Sequence, residues 1–173
     1  HQSFGISSYT LMADLMGEDM IQAAQGNGFF WFDCLYNVKS RYTSKAWRSY
    51  DVWNCYYTWI SNANYILAAE STMEGEKADV NYVIGQAYAI RAYSYFMLAQ
   101  TFARTYKGHE SEPCCPIYTE PTVAGTQGNP RSTVQEVYDQ LNSDIDKAIE
   151  LLNGTERKHI SHINYATALG LKA

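Results

Sequence analysis

Apolar positions along this chain recur at steps of three and four, interrupted by two stretches in which no period holds. The clearest stripe is Val134, Val137 or Tyr138, Leu141, Ile145, Ala148 and Leu152. Asp139, Asn142, Asp144, Asp146, Lys147 and Glu150 fill the other sides of that helix and read as a solvated face. Ser132 or Thr133, followed three residues on by Gln135 or Glu136, predicts a capping box at its start. Asn153-Gly154 predicts its end, because a left-handed residue after a helix is most cheaply supplied by Gly. Asn153-Gly154-Thr155 also matches a glycosylation sequon, which the helix stop explains equally well.

Earlier in the chain, Trp53, Tyr57, Ile60, Asn64 and Leu67 share one face of a helix expected over Lys45–Ser71. Asn64 on that apolar face is expected to be a buried amide bonded to backbone across a helix pair. The next helix, expected over Ala78–Tyr106, would be about 43 Å long at 1.5 Å per residue. It carries two apolar stripes, Ile84, Tyr88, Tyr95, Leu98 and Phe102 on one side and Tyr82, Gly85, Ala89, Ala92, Tyr93, Phe96 and Ala99 on the other. A helix apolar on nearly all sides is packed on several sides. Gly85, Ala89 and Ala92 leave room for a neighbour to approach closely. Arg91 lies inside the first stripe and is expected to pair with a carboxylate within the bundle, since a buried charge needs a partner. Shorter helices are expected from Ser7 to Met20 and from Ser161 to the end.

The two unpatterned stretches differ in chemistry. Ala23–Lys45 carries Gly26, Gly28, the run Phe29-Phe30-Trp31-Phe32, Tyr36, Arg41 and Tyr42, and reads as a long aromatic loop. Long loops in compact domains tend to be functional. Lys107–Arg131 holds all 4 prolines, so short extended pieces around Cys115-Pro116-Ile117-Tyr118 are expected there and no helix. No alternating strand pattern of useful length occurs. The expected fold is therefore all-α, antiparallel helix pairs with tetratricopeptide-like packing, joined by the aromatic loop and the Pro-rich loop.

Composition narrows the function. The 173 residues fit one domain over 1–173, 46% hydrophobic and 18% charged. A net charge of −5 with scattered Lys and Arg argues against a nucleic-acid binder. No apolar run is long enough for a membrane-spanning helix. Cys34, Cys55, Cys114 and Cys115 show no zinc spacing, and a bridge between neighbouring cysteines is sterically awkward, so free thiols are expected. His159-x-x-His162 has a spacing that could hold a metal, but no third ligand accompanies it and exposed histidines are the expectation. No nucleophile elbow, P-loop or dinucleotide fingerprint is present, and no cofactor is expected. The chain opens at His1 and stops within a helical pattern, which suggests a piece of a longer protein.

Several of these segments, in this order, resemble the SusD/RagB family. Leu15-Met16-Gly17-Glu18-Asp19 resembles its opening segment. Trp53, Tyr57, Ile60 and Asn64 resemble the face of its early helix, and Gly85–Phe96, with Arg91-Ala92 followed by aromatics, resembles its signature helix. Pro121-Thr122 with Pro130–Tyr138, then Asp144–Leu152 and Ile160–Ala173, resemble the segments that follow. The resemblance implies the N-terminal helical part of an outer-membrane, surface-exposed lipoprotein of Bacteroidetes. Such proteins sit over a SusC-like TonB-dependent transporter and capture glycans or peptides for import. They bind without a catalytic step, so no enzyme is expected. The lipid-bearing Cys of the family has no counterpart near the start of this chain.

Sugar rings have apolar faces and hydroxyl edges, so they suit stacking on flat aromatic rings with Arg, Asn or Asp at the rim. The loop ahead of the second helix offers that mixture, and Tyr36, Arg41, Tyr42 and Trp47 are the expected ligand contacts. Against this stands simple anchoring of the loop under a helix pair. Phe29–Phe32 is expected to be core, because exposing such a run invites aggregation. The rival functions are a peptide-binding member of the same family and a helical-repeat scaffold for protein partners.

Overall fold

The computed structural model describes residues 5–17, 20–24, 26, 30–35 and 47–173, with the side chains of 32 and 47–49 excepted. Among them the regular elements are helical: α1 Ile6–Met16, α2 Trp31–Cys34, α3 Trp47–Ala68, α4 Lys77–Phe102, α5 Val134–Leu152 and α6 Tyr165–Lys172, with a 3-10 turn at Glu70–Thr72. The chain forms two compact units, His1–Cys55 and Tyr56–Ala173, and α3 crosses the boundary.

In the first unit, α1 buries Ser8, Tyr9 and Leu15 and stops at Gly17, whose N–H donates back to the carbonyls of Ala13 and Asp14. The short α2 lies within the stretch expected as loop. Phe30 precedes it in left-handed backbone, φ 56°, and is buried, as expected for core. Burial raises the Tyr9 hydroxyl pKa.

The second unit is built around α4. Its small residues face α5, and a Cβ added at Gly85 would sit 2.7 Å from Leu152 Cγ. Tyr82, Ala89 and Ala92 join Ile145, Ala148, Leu152 and Ala168 in one cluster across α4, α5 and α6. Gly85 near the start of α4 meets Leu152 at the end of α5, while the Tyr106 ring beyond the end of α4 lies edge-on to Tyr138 near the start of α5. The pair is therefore antiparallel. On another side α4 meets α3, where the Tyr56 and Tyr93 rings lie edge to face at 6.2 Å. The expected two-sided packing of this helix is what the structure contains.

Helix ends follow local chemistry. At the start of α5, the Glu136 N–H donates to Thr133 Oγ1 at 3.2 Å, and the Thr133 N–H donates to Glu136 Oε2 at 2.7 Å, which completes the expected capping box. Gly154 follows α5 with φ 77°. α4 ends at Phe102, short of Tyr106, because residues 104–107 are exposed and bury no stripe. α6 begins at Tyr165 instead of Ser161: the side chain of Asn164 takes the cap, accepting from Thr167 N at 2.9 Å.

One expectation is corrected. Asp144 does not belong to the solvated face of α5; it is 2% exposed and grips Arg91. The stripe through Ile145 and Ala148 is broad enough that its neighbour in sequence is carried under α4. His159 is exposed, with Nδ1 bonded to Ser161 Oγ at 2.7 Å, whereas His162 is half-buried and its Nδ1 bonds the Tyr82 hydroxyl of α4 at 2.9 Å. Among the described residues no three metal-ligating side chains gather. The cysteines are free thiols, and Cys55, Cys114 and Cys115 are buried.

Candidate functional site

Of the ligand contacts expected from sequence, Tyr36, Arg41 and Tyr42 lie outside the described residues. Trp47 opens α3, and its side chain lies outside them too. From the same aromatic stretch, Trp31 is half-buried and Asp33 is 3% exposed.

The second unit brings together a different set of groups. The segment 103–133 has little regular pairing: an isolated antiparallel bridge joins Pro113 and Thr133, flanked by Cys114 N–H to Ser132 O at 2.7 Å and Ser132 N–H to Cys115 O at 3.2 Å. Elsewhere its backbone has no strand to pair with, yet backbone polar groups removed from water must find partners. Side chains of α3 and α4 supply them. The Tyr57 hydroxyl donates to Pro116 O at 2.6 Å, and the Tyr65 hydroxyl donates to Thr122 O at 2.8 Å. The Asn64 amide donates to Tyr118 O at 2.9 Å and to Glu120 O at 3.1 Å. Tyr95 does both jobs at one residue, donating to Tyr118 O at 2.9 Å and accepting Tyr118 N–H at 2.7 Å. Burial raises the pKa of Tyr57 and of Tyr95, so both stay neutral donors.

Behind Asn64 stands a buried ion pair. Arg91 Nε and Nη2 donate to the two oxygens of Asp144, each at 2.7 Å, in a fork-to-fork arrangement. Its Nη1 donates to Asn64 Oδ1 at 2.7 Å and to Thr119 O at 3.2 Å. Burial works against the charge on Arg91, but the Asp144 carboxylate outweighs it and the pKa lies above the ordinary arginine value. Gln140 Nε2 donates to the same carboxylate at 3.0 Å. The network runs from α5 through α4 and α3 to the extended segment, and fixes where that segment lies.

Between α3 and this segment is an open cleft of about 310 Å³. One wall is the α3 face of Tyr57, Ile60, Ser61 and Asn64. The other is Tyr118 and the turn that follows it, from Thr122 to Gly128. The Tyr57 and Tyr118 rings meet edge to face at 6.0 Å. The turn is held by Val123 N–H donating to Thr126 Oγ1 at 2.9 Å and by Asn129, whose N–H donates to the Tyr118 hydroxyl at 2.9 Å. The sequence stripe contains Tyr57, Ile60 and Asn64 of the α3 wall, without Ser61, and reads as packing. The facing wall sits more than fifty residues away in a segment without periodicity, so nothing in the pattern paired the two.

Comparison with known proteins bears on the whole chain. The SusD-like family described as "Starch-binding associating with outer membrane" matches residues 12–173. A SusD-like protein of Formosa agariphila is 32% identical over 113 residues, which cover 64% of this chain and 20% of that protein. The SusD-like carbohydrate binding protein of Bacteroides vulgatus, solved by crystallography, is 28% identical and superposes with a TM-score of 0.80, covering 96% of this chain and 34% of the other. A laminarin-binding SusD-like protein, at 19% identity and a TM-score of 0.65 over 87% of this chain and 30% of its own, shares the fold. The chain thus spans a fifth to a third of the length of these relatives. With the family model matching nearly all of its length and the fold agreeing, this chain belongs to the SusD/RagB family.

Proposed function

We propose that the protein containing this chain captures glycans at the outer-membrane surface and delivers them to a TonB-dependent transporter for import. The reading rests on the family match over residues 12–173, and the likeness to a carbohydrate-binding member of the fold supports it. Binding is reversible and involves no catalytic step. A lipid anchor holds the protein to the membrane, and a SusC-like barrel is its partner. Tyr36, Arg41, Tyr42 and Trp47 contribute contacts to the glycan, aromatic faces against sugar rings and the guanidinium at their hydroxyl rim.

The test is to isolate the intact protein from detergent-solubilised membranes of its source cells and to identify what accompanies it by mass. A large barrel protein in stoichiometric amount is the expected result. Recovery in the soluble fraction with a soluble protein partner would overturn the reading in favour of an interaction scaffold. Affinity for starch-derived oligosaccharides, weakened by Trp47→Ala in the full-length protein, is the companion expectation. Affinity for peptides and none for any saccharide would move the protein to the peptide-binding side of the family.

A further inference from the structure

The cleft between α3 and the 118–128 turn is more than the seat of a loop, and its free groups indicate what it takes. A gap left by imperfect packing is enclosed and apolar. This one is open and mixed in character. Its apolar lining is the half-buried Tyr57 and Tyr118 rings, which meet edge to face, with the exposed Val123 and the buried Ile60. Around it stand polar groups not consumed by the fold. The side chains of Ser61 and Gln127 have no hydrogen-bond partner among the described residues. The Tyr118 hydroxyl accepts from Asn129 N–H, which leaves its own proton to donate. By contrast, both amide hydrogens of Asn64 are spent on carbonyls, so Asn64 shapes the cleft without reaching into it.

Ligand pockets run from about 300 to 1,000 Å³. At about 310 Å³ the cleft falls at the lower end and suits one six-membered ring with its substituents. An apolar face bordered by hydroxyl and amide groups of both hydrogen-bonding senses matches a pyranose, which has an apolar face and a rim of hydroxyls. Among the described residues no charged side chain lines the cleft, which disfavours an anionic or cationic ligand. We propose that this cleft is a sugar subsite that holds a single uncharged pyranose unit of the captured glycan, with Ser61, Gln127 and Tyr118 bonding its hydroxyls. This rests on the glycan-capture reading above and adds residues that the aromatic loop does not include.

The experiment is calorimetric titration of the full-length protein with oligosaccharides cut from starch and from laminarin, for the wild type, Gly128→Phe, Ser61→Ala and Trp47→Ala. Gly128 has ordinary backbone, and a Cβ there meets only the Tyr118 hydroxyl at 3.7 Å, so the phenyl group can enter the cleft without distorting the turn. Gly128→Phe is expected to weaken binding tenfold or more. Ser61→Ala, losing one hydrogen bond, is expected to weaken it about fivefold with an unchanged melting temperature. Should Gly128→Phe fail to fold, Ser61→Ala decides alone. Wild-type affinity in the cleft variants beside a loss in Trp47→Ala would overturn the subsite and leave glycan capture standing. No binding of either saccharide by the wild type would overturn both.

Discussion

Asn64 shows how much one polar residue on an apolar face can organise. It accepts from Arg91 and donates to two carbonyls of the extended segment, so all three of its bonds cross between elements. Asn64→Leu keeps the branching at Cγ but strands those partners, at a cost of about 1–3 kcal/mol for each buried group left unpaired. Urea unfolding of the full-length protein should show the lost stability, and near-wild-type stability would mean that water replaces the amide. Arg91→Met leaves the Asp144 carboxylate buried with Gln140 as its donor, and breaking a buried pair from one side costs about 3–5 kcal/mol. Adding Asp144→Leu should recover most of that loss, because the uncompensated charge and not the pair dominates. The tyrosines follow the same logic. Tyr57, Tyr65 and Tyr95 each put a hydroxyl on a carbonyl of a segment that has no sheet to join.

Helices α4 and α5 meet through small residues, and this makes Gly85 sensitive. Gly85→Ala drives a methyl group to 2.7 Å from Leu152 Cγ, so the pair must separate or Leu152 must leave its rotamer. Overpacking of this kind costs about 1–3 kcal/mol, and combining it with Leu152→Ala should show non-additive behaviour in thermal melts. At the start of α5 the backbone N–H and hydroxyl of Thr133 lower the pKa of the exposed Glu136 carboxyl. A lowered folded-state value contributes stability that is fully present above the ordinary Glu pKa of about 4.3 and disappears as the pH falls through the folded value. An NMR titration of the Glu136 carboxyl carbon should therefore report a value below the ordinary one. Thr133→Ala removes the hydroxyl and leaves the backbone N–H, so the value should move back partway while the cap loses about 1 kcal/mol. An ordinary value in the wild type would mean that the box is open in solution.

For the molecule as a whole, the second unit is a stack in which α4 is covered by α3 and α5, and α6 covers α5 in turn. Hydrogen exchange of the full-length protein should find the amides of α4 from Ala89 to Leu98 among the slowest, since opening them means breaking contacts on both sides. Tyr118 should be an outlier in its own segment, protected although it lies in no helix or strand, because the Tyr95 hydroxyl holds its N–H. Fast exchange at Tyr118 would show that the segment detaches readily, and the cleft with it. The exposed stretch 156–161 should exchange early.

The periodic signals determined the helices by themselves. The α5 stripe, its capping box and the Asn153-Gly154 stop are local features, and local geometry settles them wherever the helix packs. The double stripe of α4 likewise stated that two neighbours were needed, and an Arg inside it stated that a carboxylate was needed. Which carboxylate was not legible. Asp144 reads as solvated beside Asp146 and Lys147, and only the rotation of α5 against α4 carries it under Arg91. The extended segment was legible as non-helical from its prolines, but its path was not, because the groups that hold it are side chains of helices far away in sequence. The cleft follows from that path. A helix states its own face in three or four residues; a surface formed by a helix and an aperiodic segment exists only once the chain has closed on itself, and that closure is decided by the tertiary hydrogen bonds of Asn64, Tyr57 and Tyr95.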